Sequence, residues 1–267
     1  MKIAVTGANG NLGRELVNMG ATPISGDITD VDQIRENIRE VAPDVLIHAA
    51  GKSGVDWTHQ NYTESTRINF NGAANVIDQW AFPNIRFIYI SSSHVFDGKK
   101  KRLYTEKDRV NPINDYGLIK LTSEMVAGSD KATIIRLSTM FSNECFEIGN
   151  WREGYYDDSE LISVPDFFTR TYAHVRHIAQ GVMEVATHYD SMPKLLNISG
   201  TQNYSMYEFA MIVANYYGWD KERFWPRNKE LVESGMDKRP RNAGLDTRLA
   251  RKFGVPLYSA IQGVELL

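Results

Sequence analysis

The amino-acid sequence predicts an α/β protein built on a doubly wound parallel sheet. Over the first 140 residues, short β-branched runs alternate with segments of helical periodicity, which is the pattern of successive βαβ units with right-handed crossovers. Several of these runs are apolar throughout, as expected for parallel strands covered by helices on both faces. The pattern loosens after about residue 139. We therefore expect a regular unit over residues 1–140 and a smaller, less regular region over residues 141–267.

The elements of the regular unit follow from hydrophobic spacing and from local start and stop signals. Strands are predicted over 3–6, 45–47, 85–91 and 133–137. Helices are predicted over 12–19, 31–41, 63–80 and 116–127, and further along over 173–188 and 205–217. The helix over 31–41 is the best defined of these, because its apolar residues fall on one face, Asp30 stands at the N-cap position and Pro43 ends it.

Composition excludes several classes of protein. Lys plus Arg is 30 against 33 for Asp plus Glu, and this near balance argues against a dedicated nucleic-acid binder. The single cysteine, Cys145, excludes an internal disulfide framework and fits a reducing compartment. No apolar run reaches the length of about 18 residues that a membrane span needs. The N-terminal residues turn glycine-rich too early for a signal peptide, so we expect a cytoplasmic protein.

A glycine-rich turn joins the first strand to the first helix. Gly7, Gly10 and Gly13 lie in TGANGNLG with the spacing G-x-x-G-x-x-G. Glycine permits the tight turn and the close approach of a pyrophosphate, and the helix N-terminus supplies free N–H groups. Any strand-to-helix turn favours glycine, but this position in the chain predicts dinucleotide binding on a Rossmann-type sheet. The spacing differs from G-x-G-x-x-G and indicates a different subgroup of such folds.

A tyrosine and a lysine in the segment DYGLIK provide a candidate acid/base pair. Tyr116 and Lys120 are four residues apart, which places both side chains on one face of a helix. An ammonium beside a phenol favours the phenolate and lowers the tyrosine pKa from its ordinary value of about 10. The alternative is a half-buried aromatic residue beside a solvated lysine. The serine run Ser91–Ser93 ends a predicted strand, where ligands bind in open α/β sheets, although serine is also a common turn residue.

Taken together, these strings resemble the extended short-chain dehydrogenase/reductase family, and within it the dTDP-4-dehydrorhamnose reductase-like branch. The strings occur in the family's order over nearly the whole chain: VTGANGNLGREL, GDITD, PDVLIHAAG, YISSSHVFDG, YTEKDRVNPINDYGLIKLTSE and KRPRNAGLDT. The resemblance implies a Rossmann-type NAD(P)-binding domain with a smaller C-terminal substrate-binding region. It also implies an NAD(P)H-dependent reductase of a nucleotide-activated 4-keto-6-deoxysugar, a nucleotide-sugar substrate and a homodimer.

The resemblance assigns roles to individual residues. Catalysis is placed on Ser92, Tyr116 and Lys120, with Asn69 of RINFNG supporting the lysine or, alternatively, facing solvent. Cofactor contacts are placed on Gly7, Asn9, Gly10, Asn11, Leu12, Gly13, Asp27, Ile28, Ala49, Ala50, Gly51, Ser91, Tyr116, Lys120 and Leu137. Asp27 is expected to touch the adenine, with Ile28 beside the ring. Substrate contacts are placed on Ser92, Ser93, His94 and Arg239, and no metal site is expected.

The chain departs from the family pattern at three places. His94 puts an ionisable group where related epimerase-reductases keep an acid/base cysteine. The alternative is that His94 is a packed or merely polar residue. Residues 136–139 read Arg-Leu-Ser-Thr, where the family has Arg-Thr-Ser-Trp. Since the tryptophan of the family's string stacks on the sugar, the sequence leaves open whether the substrate is a deoxysugar. The second strand is reduced to the segment TPIS, which shows no charged residue to select the ribose 2′ position. The cofactor is therefore NADP or NAD, with the choice open.

Two further functions compete with simple reduction. A bifunctional epimerase-reductase would need a second acid/base pair that includes His94. The chain also resembles the regulatory β subunit of methionine adenosyltransferase in YISS, VFDG and RPRNA, and such a subunit binds a dinucleotide but acts by docking on an enzyme. The basic run over residues 99–102 would attract a sugar-nucleotide diphosphate or would form a solvated turn.

Overall fold

A computed structural model describes residues 1–78, 81–128, 132–157, 161–227 and 238–267. Strands in these ranges are β1 (Ile3–Thr6), β2 (Thr22–Ile24), β3 (Val45–His48), β4 (Arg86–Ser92), β5 (Ala132–Leu137), β6 (Thr139–Phe141), β7 (Ile162–Pro165), β8 (Thr169–His174), β9 (Leu195–Ile198), β10 (Asn203–Ser205) and β11 (Phe224–Arg227). Helices are α1 (Asn11–Asn18), α2 (Val31–Val41), α3 (Val55–Gln60), α4 (Tyr62–Thr66), α5 (Gly72–Val76), α6 (Asp115–Ala127), α7 (Phe146–Tyr156), α8 (Val175–Thr187), α9 (Met206–Tyr217), α10 (Arg248–Lys252) and α11 (Ala260–Val264).

Six parallel strands form the central sheet in the order β2-β1-β3-β4-β5-β9. Thr6 of β1 pairs with His48 of β3, and Ser92 of β4 pairs with Leu137 of β5. The carboxyl ends of these strands therefore lie along one edge of the sheet. This is the edge at which open α/β sheets bind their ligands.

The predicted Rossmann-type α/β fold is confirmed. The strand predicted over 3–6 is observed at those residues, and the other three predicted strands lie within one residue of the observed bounds. The α2 helix begins where predicted, and the carboxylate of Asp30 accepts a hydrogen bond from the backbone N–H of Gln33 at 3.1 Å. The segment TPIS forms the edge strand β2, where Pro23 is tolerated because one side of an edge strand needs no N–H donor.

Two predicted helices are wrong in their bounds. The helix predicted over 63–80 is interrupted by a π-helical turn at Arg67–Asn71, and α5 ends at Val76, while Trp80 lies outside the described residues. The helix predicted over 173–188 begins at Val175. Residues 173 and 174 belong to β8 instead, which pairs with β6 and β10, and the ring of His174 then caps α8 by accepting from the N–H of Arg176 at 3.2 Å.

Apolar layers cover both faces of the central sheet. On one face, α1 and α8 pack through buried residues such as Leu16 and Val182. On the other face, α2 and α5 contribute Ile34 and Val76. Since β9 is the last strand of the sheet, the chain returns to the sheet from the C-terminal region.

A separate core lies in the C-terminal region. Its largest buried residues include Phe141, Trp151, Tyr172 and Phe209, and the rings of Tyr172 and Phe209 stack at 4.1 Å. Phe209 of α9 is buried as its helical spacing predicts. Within the described ranges, every helix is too short or too polar to cross a bilayer. The same ranges contain no cluster of His, Cys, Asp and Glu that is suited to hold a metal ion.

Candidate active site

The glycine-rich turn packs directly against the end of β3. Gly7 has a φ angle of +77°, and a Cβ added to it would lie 2.6 Å from the backbone N of Ala50. A Cβ on Gly13 would lie 2.0 Å from the carbonyl oxygen of Gly7. Both positions therefore require glycine. At Gly10, the N-cap of α1, no side chain caps the first N–H groups, and the first turn carries no acidic residue, so this end of the helix suits an anion.

A cavity of about 240 Å³ opens at the carboxyl edge of the sheet. The predicted site residues in its wall are Gly10, Asn11, Leu12, Gly13, Ala49, Ala50, Gly51, Asn69, Ser91, Ser92, Tyr116, Lys120 and Leu137. Five residues that were not predicted complete the wall: Lys52, Ser53, Ile90, Ser138 and Met140. The structure thus brings the glycine-rich turn, the serine strand and the Tyr–Lys helix to one cavity.

Helix α6 holds Tyr116 and Lys120 at the cavity. Asn114 caps the helix, because its Oδ1 accepts a hydrogen bond from the backbone N–H of Gly117 at 2.8 Å. Tyr116 is half-buried and Lys120 is buried one turn further along. This cap fixes the first turn of α6, and with it the direction from which the phenol enters the cavity.

Two groups of strand β4 hold the ammonium of Lys120 in place. Its Nζ donates to the carbonyl oxygen of Ile90 at 2.7 Å and lies 4.5 Å from the centre of the Tyr89 ring. Burial lowers the pKa of Lys120, and the negative charges of Tyr116 and Glu124 oppose this shift. The lysine side chain is therefore held in place near the phenol rather than mobile at the surface.

A buried network behind the cavity ties β4, β5 and α6 together. The hydroxyl of Ser91 donates to Glu124 Oε1 at 2.5 Å. Glu124 accepts two hydrogen bonds from Arg136, at 2.9 and 2.7 Å, and both side chains are only 6% exposed. Glu124 and Arg136 were not predicted as part of the site. The spacing of Glu124 four residues after Lys120 was the available sequence signal, since it continues the same helix face.

Asn69 lies in the π-helical turn and bonds to the loop after β3. Its Oδ1 accepts from the backbone N–H of Lys52 at 2.9 Å, and its Nδ2 donates to the Lys52 carbonyl at 3.0 Å. Its own carbonyl oxygen accepts from the Ser123 hydroxyl of α6 at 3.1 Å. Asn69 is thus buried and does not face solvent. Its predicted support of Lys120 stays a prediction.

His94 lies against Tyr116 with its ring edge-on, at a centroid distance of 5.6 Å. Its Nδ1 pairs with Nδ2 of Asn114 at 3.2 Å. Burial, together with the charges of Arg170 and Arg239, lowers the pKa of His94 to about 3. The imidazole is therefore uncharged at neutral pH.

His94 and the two remaining predicted substrate residues, Ser93 and Arg239, lie outside the cavity wall. Ser93 is buried in the short turn after β4. Arg239 donates to the carboxylate of Asp56 at 2.6 Å, in an ion pair that is partly exposed. Their predicted contacts with substrate stay predictions.

The residues predicted to meet the adenine end flank the sheet near β2. Asp27 is exposed, and its Oδ1 accepts from the N–H and the hydroxyl of Thr29, which lowers the pKa of the carboxyl. Ile28 is buried against Gly72, and Asn9 is exposed in the glycine-rich turn. The strand ends at Ile24 without a charged side chain before Asp27, as expected from the sequence.

Basic residues of the run over residues 99–102 form ion pairs within their own loop. Lys100 and Arg102 both bond to the carboxylate of Asp108, with Arg102 Nη2 at 2.8 Å from Oδ1. The N–H of Thr105 donates to the same carboxylate at 2.8 Å. Two of the four basic residues thus stabilise a turn.

Comparison with known proteins assigns the chain to a family. The family model described as RmlD substrate binding domain matches residues 1–265. The chain belongs to this family. The resemblance predicted from the sequence motifs is therefore confirmed.

Three relatives illustrate the range of similarity. A dTDP-4-dehydrorhamnose reductase of Sinorhizobium fredii is 30% identical over 53% of this chain and 51% of its own length, so the match spans about half of that relative. Methionine adenosyltransferase 2 subunit beta of Bos taurus is 24% identical over 95% of this chain and 83% of its own length. The crystal structure of dTDP-4-dehydrorhamnose reductase from Bacillus anthracis, in complex with NADP, has a TM-score of 0.87 at 26% identity and covers 99% of this chain and 98% of its own.

Proposed function

We propose that this protein is an NAD(P)H-dependent oxidoreductase that reduces a keto group of a nucleotide-activated sugar. The observation that carries the proposal is the shared cavity wall of Ser92, Tyr116, Lys120 and the glycine-rich turn. Such a wall places a proton donor, a positive charge and a phosphate-binding turn around one space. The family membership and the relatives named as dTDP-4-dehydrorhamnose reductases support the same activity and substrate class.

The residues of the cavity fit a dinucleotide. Gly7 and Gly13 keep the turn free of side-chain atoms, so the N–H groups at the start of α1 are available for the pyrophosphate. We assign to Lys120, which lines the same cavity, the hydroxyls of the nicotinamide ribose. When bound, the reduced nicotinamide supplies the hydride.

The side chains of the cavity supply position and a proton. In this proposal Ser92 and Tyr116, which both line the cavity, donate hydrogen bonds to the carbonyl oxygen of the substrate, where negative charge develops as the carbon is reduced. Tyr116 gives its phenolic proton to that oxygen, which completes the alcohol. Lys120 stabilises the phenolate that remains. Because His94 is uncharged and has a pKa of about 3, we assign the proton to Tyr116.

Either nicotinamide cofactor is compatible with the end of β2. No acidic side chain occupies the tip of the strand at Ile24–Gly26 to repel a 2′-phosphate, and the Bacillus anthracis reductase was crystallised with NADP. We therefore expect turnover with NADPH, and the ratio of kcat/KM for NADPH and NADH measures the preference directly.

The test is a turnover assay with purified full-length protein. NADPH or NADH is mixed with a 4-keto-6-deoxy nucleotide sugar, and oxidation of the cofactor is followed by its absorbance. We expect the amount of cofactor oxidised to match the amount of keto sugar added, and we expect the reduced sugar to form. Tight cofactor binding without oxidation, across dTDP- and UDP-linked keto sugars, would contradict the proposal.

A regulatory role is the second candidate. The observation in its favour is the similarity to methionine adenosyltransferase 2 subunit beta over nearly the whole of this chain. In this case the protein would bind the dinucleotide and dock on a methionine adenosyltransferase. Co-purification with such an enzyme, with no turnover of keto sugars, would favour this role.

A further inference from the structure

A buried ion pair lies behind the cavity wall, between helix α6 and strand β5. The carboxylate of Glu124 accepts two hydrogen bonds from the guanidinium of Arg136, and each side chain is only 6% exposed. Among the described residues, Nη1 of Arg136 has no hydrogen-bond partner, which adds to the cost of burying this charge. An apolar pair of similar volume often gives an equally stable or more stable fold. Stability alone therefore does not explain why two charges are placed here.

Glu124 shares one face of α6 with the two candidate residues of the cavity. Tyr116, Lys120 and Glu124 follow one another at intervals of four residues, which is slightly more than one helical turn. The first two line the cavity, and Glu124 lies one turn behind them. Because the three side chains project from one helix, a contact that fixes Glu124 also restricts the position of Lys120.

Two neighbouring residues of strand β4 hold this face of the helix. The carbonyl oxygen of Ile90 accepts from Nζ of Lys120 at 2.7 Å, and the hydroxyl of Ser91 donates to Oε1 of Glu124 at 2.5 Å. Ser91 also pairs in register with Arg136 of β5, so the guanidinium reaches the same carboxylate from the neighbouring strand. The two links together fix the position of α6 along β4 at the level of Lys120.

This arrangement tolerates little displacement. An α-helix rises about 1.5 Å per residue, so a shift of α6 by one residue is enough to break the contact of Lys120 with Ile90. Misplacement of a reacting group by about 1 Å can lower a reaction rate by about 100-fold. The link through Glu124 opposes such a shift, because it joins the same helix to the next residue of the same strand.

We propose that Glu124, held by Arg136, is a positioning residue for the reduction, because it fixes α6 against β4 and so keeps the ammonium of Lys120 near the phenol of Tyr116. This inference rests on the proposed function, since it concerns the same candidate proton donor. Neither Glu124 nor Arg136 is part of the cavity wall. Both therefore act through Ser91 and Lys120 rather than by contact with substrate or cofactor.

The test replaces both partners of the ion pair together, because removal of one alone leaves an unpaired buried charge that destabilises the fold by itself. E124M/R136M removes both charges and the acceptor of the Ser91 hydroxyl. E124Q/R136M also removes both charges but keeps an amide oxygen that can accept from Ser91. The control R86M/D190N removes an exposed ion pair at the opposite end of strand β4.

The position of Lys120 is measured without turnover. Ligand-free full-length protein is treated with an amine-acetylating reagent, and the modification of each lysine is followed by mass spectrometry. Lys120 is 8% exposed, while Lys107 is exposed and serves as the internal standard. Relative to Lys107, we expect Lys120 to react about tenfold or more faster in E124M/R136M than in the wild type. E124Q/R136M and R86M/D190N should retain most of the wild-type protection.

Turnover at saturating NADPH measures the consequence for the reaction. We expect kcat for keto-sugar reduction to fall by about tenfold or more in E124M/R136M, while KM for the keto sugar changes by less than about threefold. E124Q/R136M should recover most of kcat, because its amide oxygen restores the link to Ser91. R86M/D190N should resemble the wild type.

Thermal unfolding separates positioning from a structural role. We expect the Tm of E124M/R136M to stay within about 5 °C of the wild type, because apolar side chains replace the buried pair. Modification of Lys120 that rises only in step with global unfolding would overturn the inference and make the pair structural. Wild-type protection of Lys120 together with wild-type kcat in E124M/R136M would overturn it as well.

The outcomes distinguish this inference from the proposed function. Loss of Lys120 protection in folded E124M/R136M, without turnover of any keto sugar by the wild type, would keep the role of Glu124 in fixing α6 and contradict the reductase. Turnover by the wild type, with kcat unchanged in E124M/R136M, would keep the reductase and contradict the positioning role.

Discussion

Two adjacent rings at the cavity, Tyr116 and His94, have different surroundings. The phenol of Tyr116 lies in the cavity wall beside the ammonium of Lys120. The imidazole of His94 is desolvated and lies near two guanidinium groups, so it stays uncharged. We therefore keep the tyrosine as the proposed proton donor. A second acid/base role for His94, which an epimerase-reductase would need, has no support from its pKa.

The carboxylate of Asp108, in the loop after β4, is held by several hydrogen bonds. Burial alone would raise its pKa, but hydrogen bonds from Arg102, Lys100 and Thr105 outweigh burial and hold the pKa well below its ordinary value. The carboxylate therefore stabilises the folded chain above the unfolded pKa of about 4, and this stabilisation is lost as the pH falls below it.

We expect D108N to lower the free energy of unfolding by about 1–3 kcal/mol at pH 7, measured by urea denaturation. The difference from the wild type should begin to shrink below about pH 4, where the carboxyl becomes protonated in the unfolded chain. It should disappear only at a still lower pH, where the folded carboxyl is protonated as well. D190N, which removes an exposed partner of Arg86, serves as the control and should shift the midpoint little. A D108N effect that is independent of pH would contradict this account.

At the scale of elements, the turn between β1 and α1 shapes one end of the cavity, where we propose that the pyrophosphate of the cofactor binds. A methyl group at Gly13 would collide with the Gly7 carbonyl, so the turn must open to accommodate it. Opening the turn displaces the N–H groups at the start of α1. Cofactor affinity and stability are therefore coupled at this position.

We expect G13A to weaken NADPH binding by about tenfold or more and to lower the free energy of unfolding by about 1–3 kcal/mol. G149A is the matched control, because Gly149 lies in α7 with open space around it. It should leave cofactor binding unchanged and stabilise the chain by about 0.5–1 kcal/mol. Fluorescence titration and urea denaturation measure the two quantities, and unchanged NADPH affinity in G13A would contradict the role of the turn.

The elements also show which parts of the site could be predicted. The pair Tyr116 and Lys120 follows from one helical spacing, and the glycine-rich turn follows from its place between a strand and a helix. Contacts between residues that are far apart in the sequence produce no regular spacing by which they could be predicted. The ion pair of Glu124 with Arg136 joins helix α6 to strand β5, and only its Glu124 end had a sequence signal, the spacing of four residues after Lys120.

At the scale of the whole molecule, the cavity lies at the carboxyl edge of the central sheet. The sheet has buried layers on both faces, and the C-terminal region has its own aromatic core while returning β9 to the sheet. The domain boundary near residue 140, the homodimer and the cytoplasmic location stay predictions. The fold was predictable because its strands are local apolar runs. The C-terminal strands, by contrast, are short and pair over long distances in sequence.

We propose that Tyr116 donates the proton and adds little to the affinity for the cofactor, which depends mainly on the other residues of the cavity. The direct test compares Y116F with the wild type in kcat for keto-sugar reduction and in Kd for NADPH, with Y216F, which alters an exposed tyrosine of α9, as control. We predict that kcat of Y116F falls by about 100-fold or more while its Kd changes little, and that Y216F resembles the wild type. Turnover by Y116F at the wild-type rate would contradict the account.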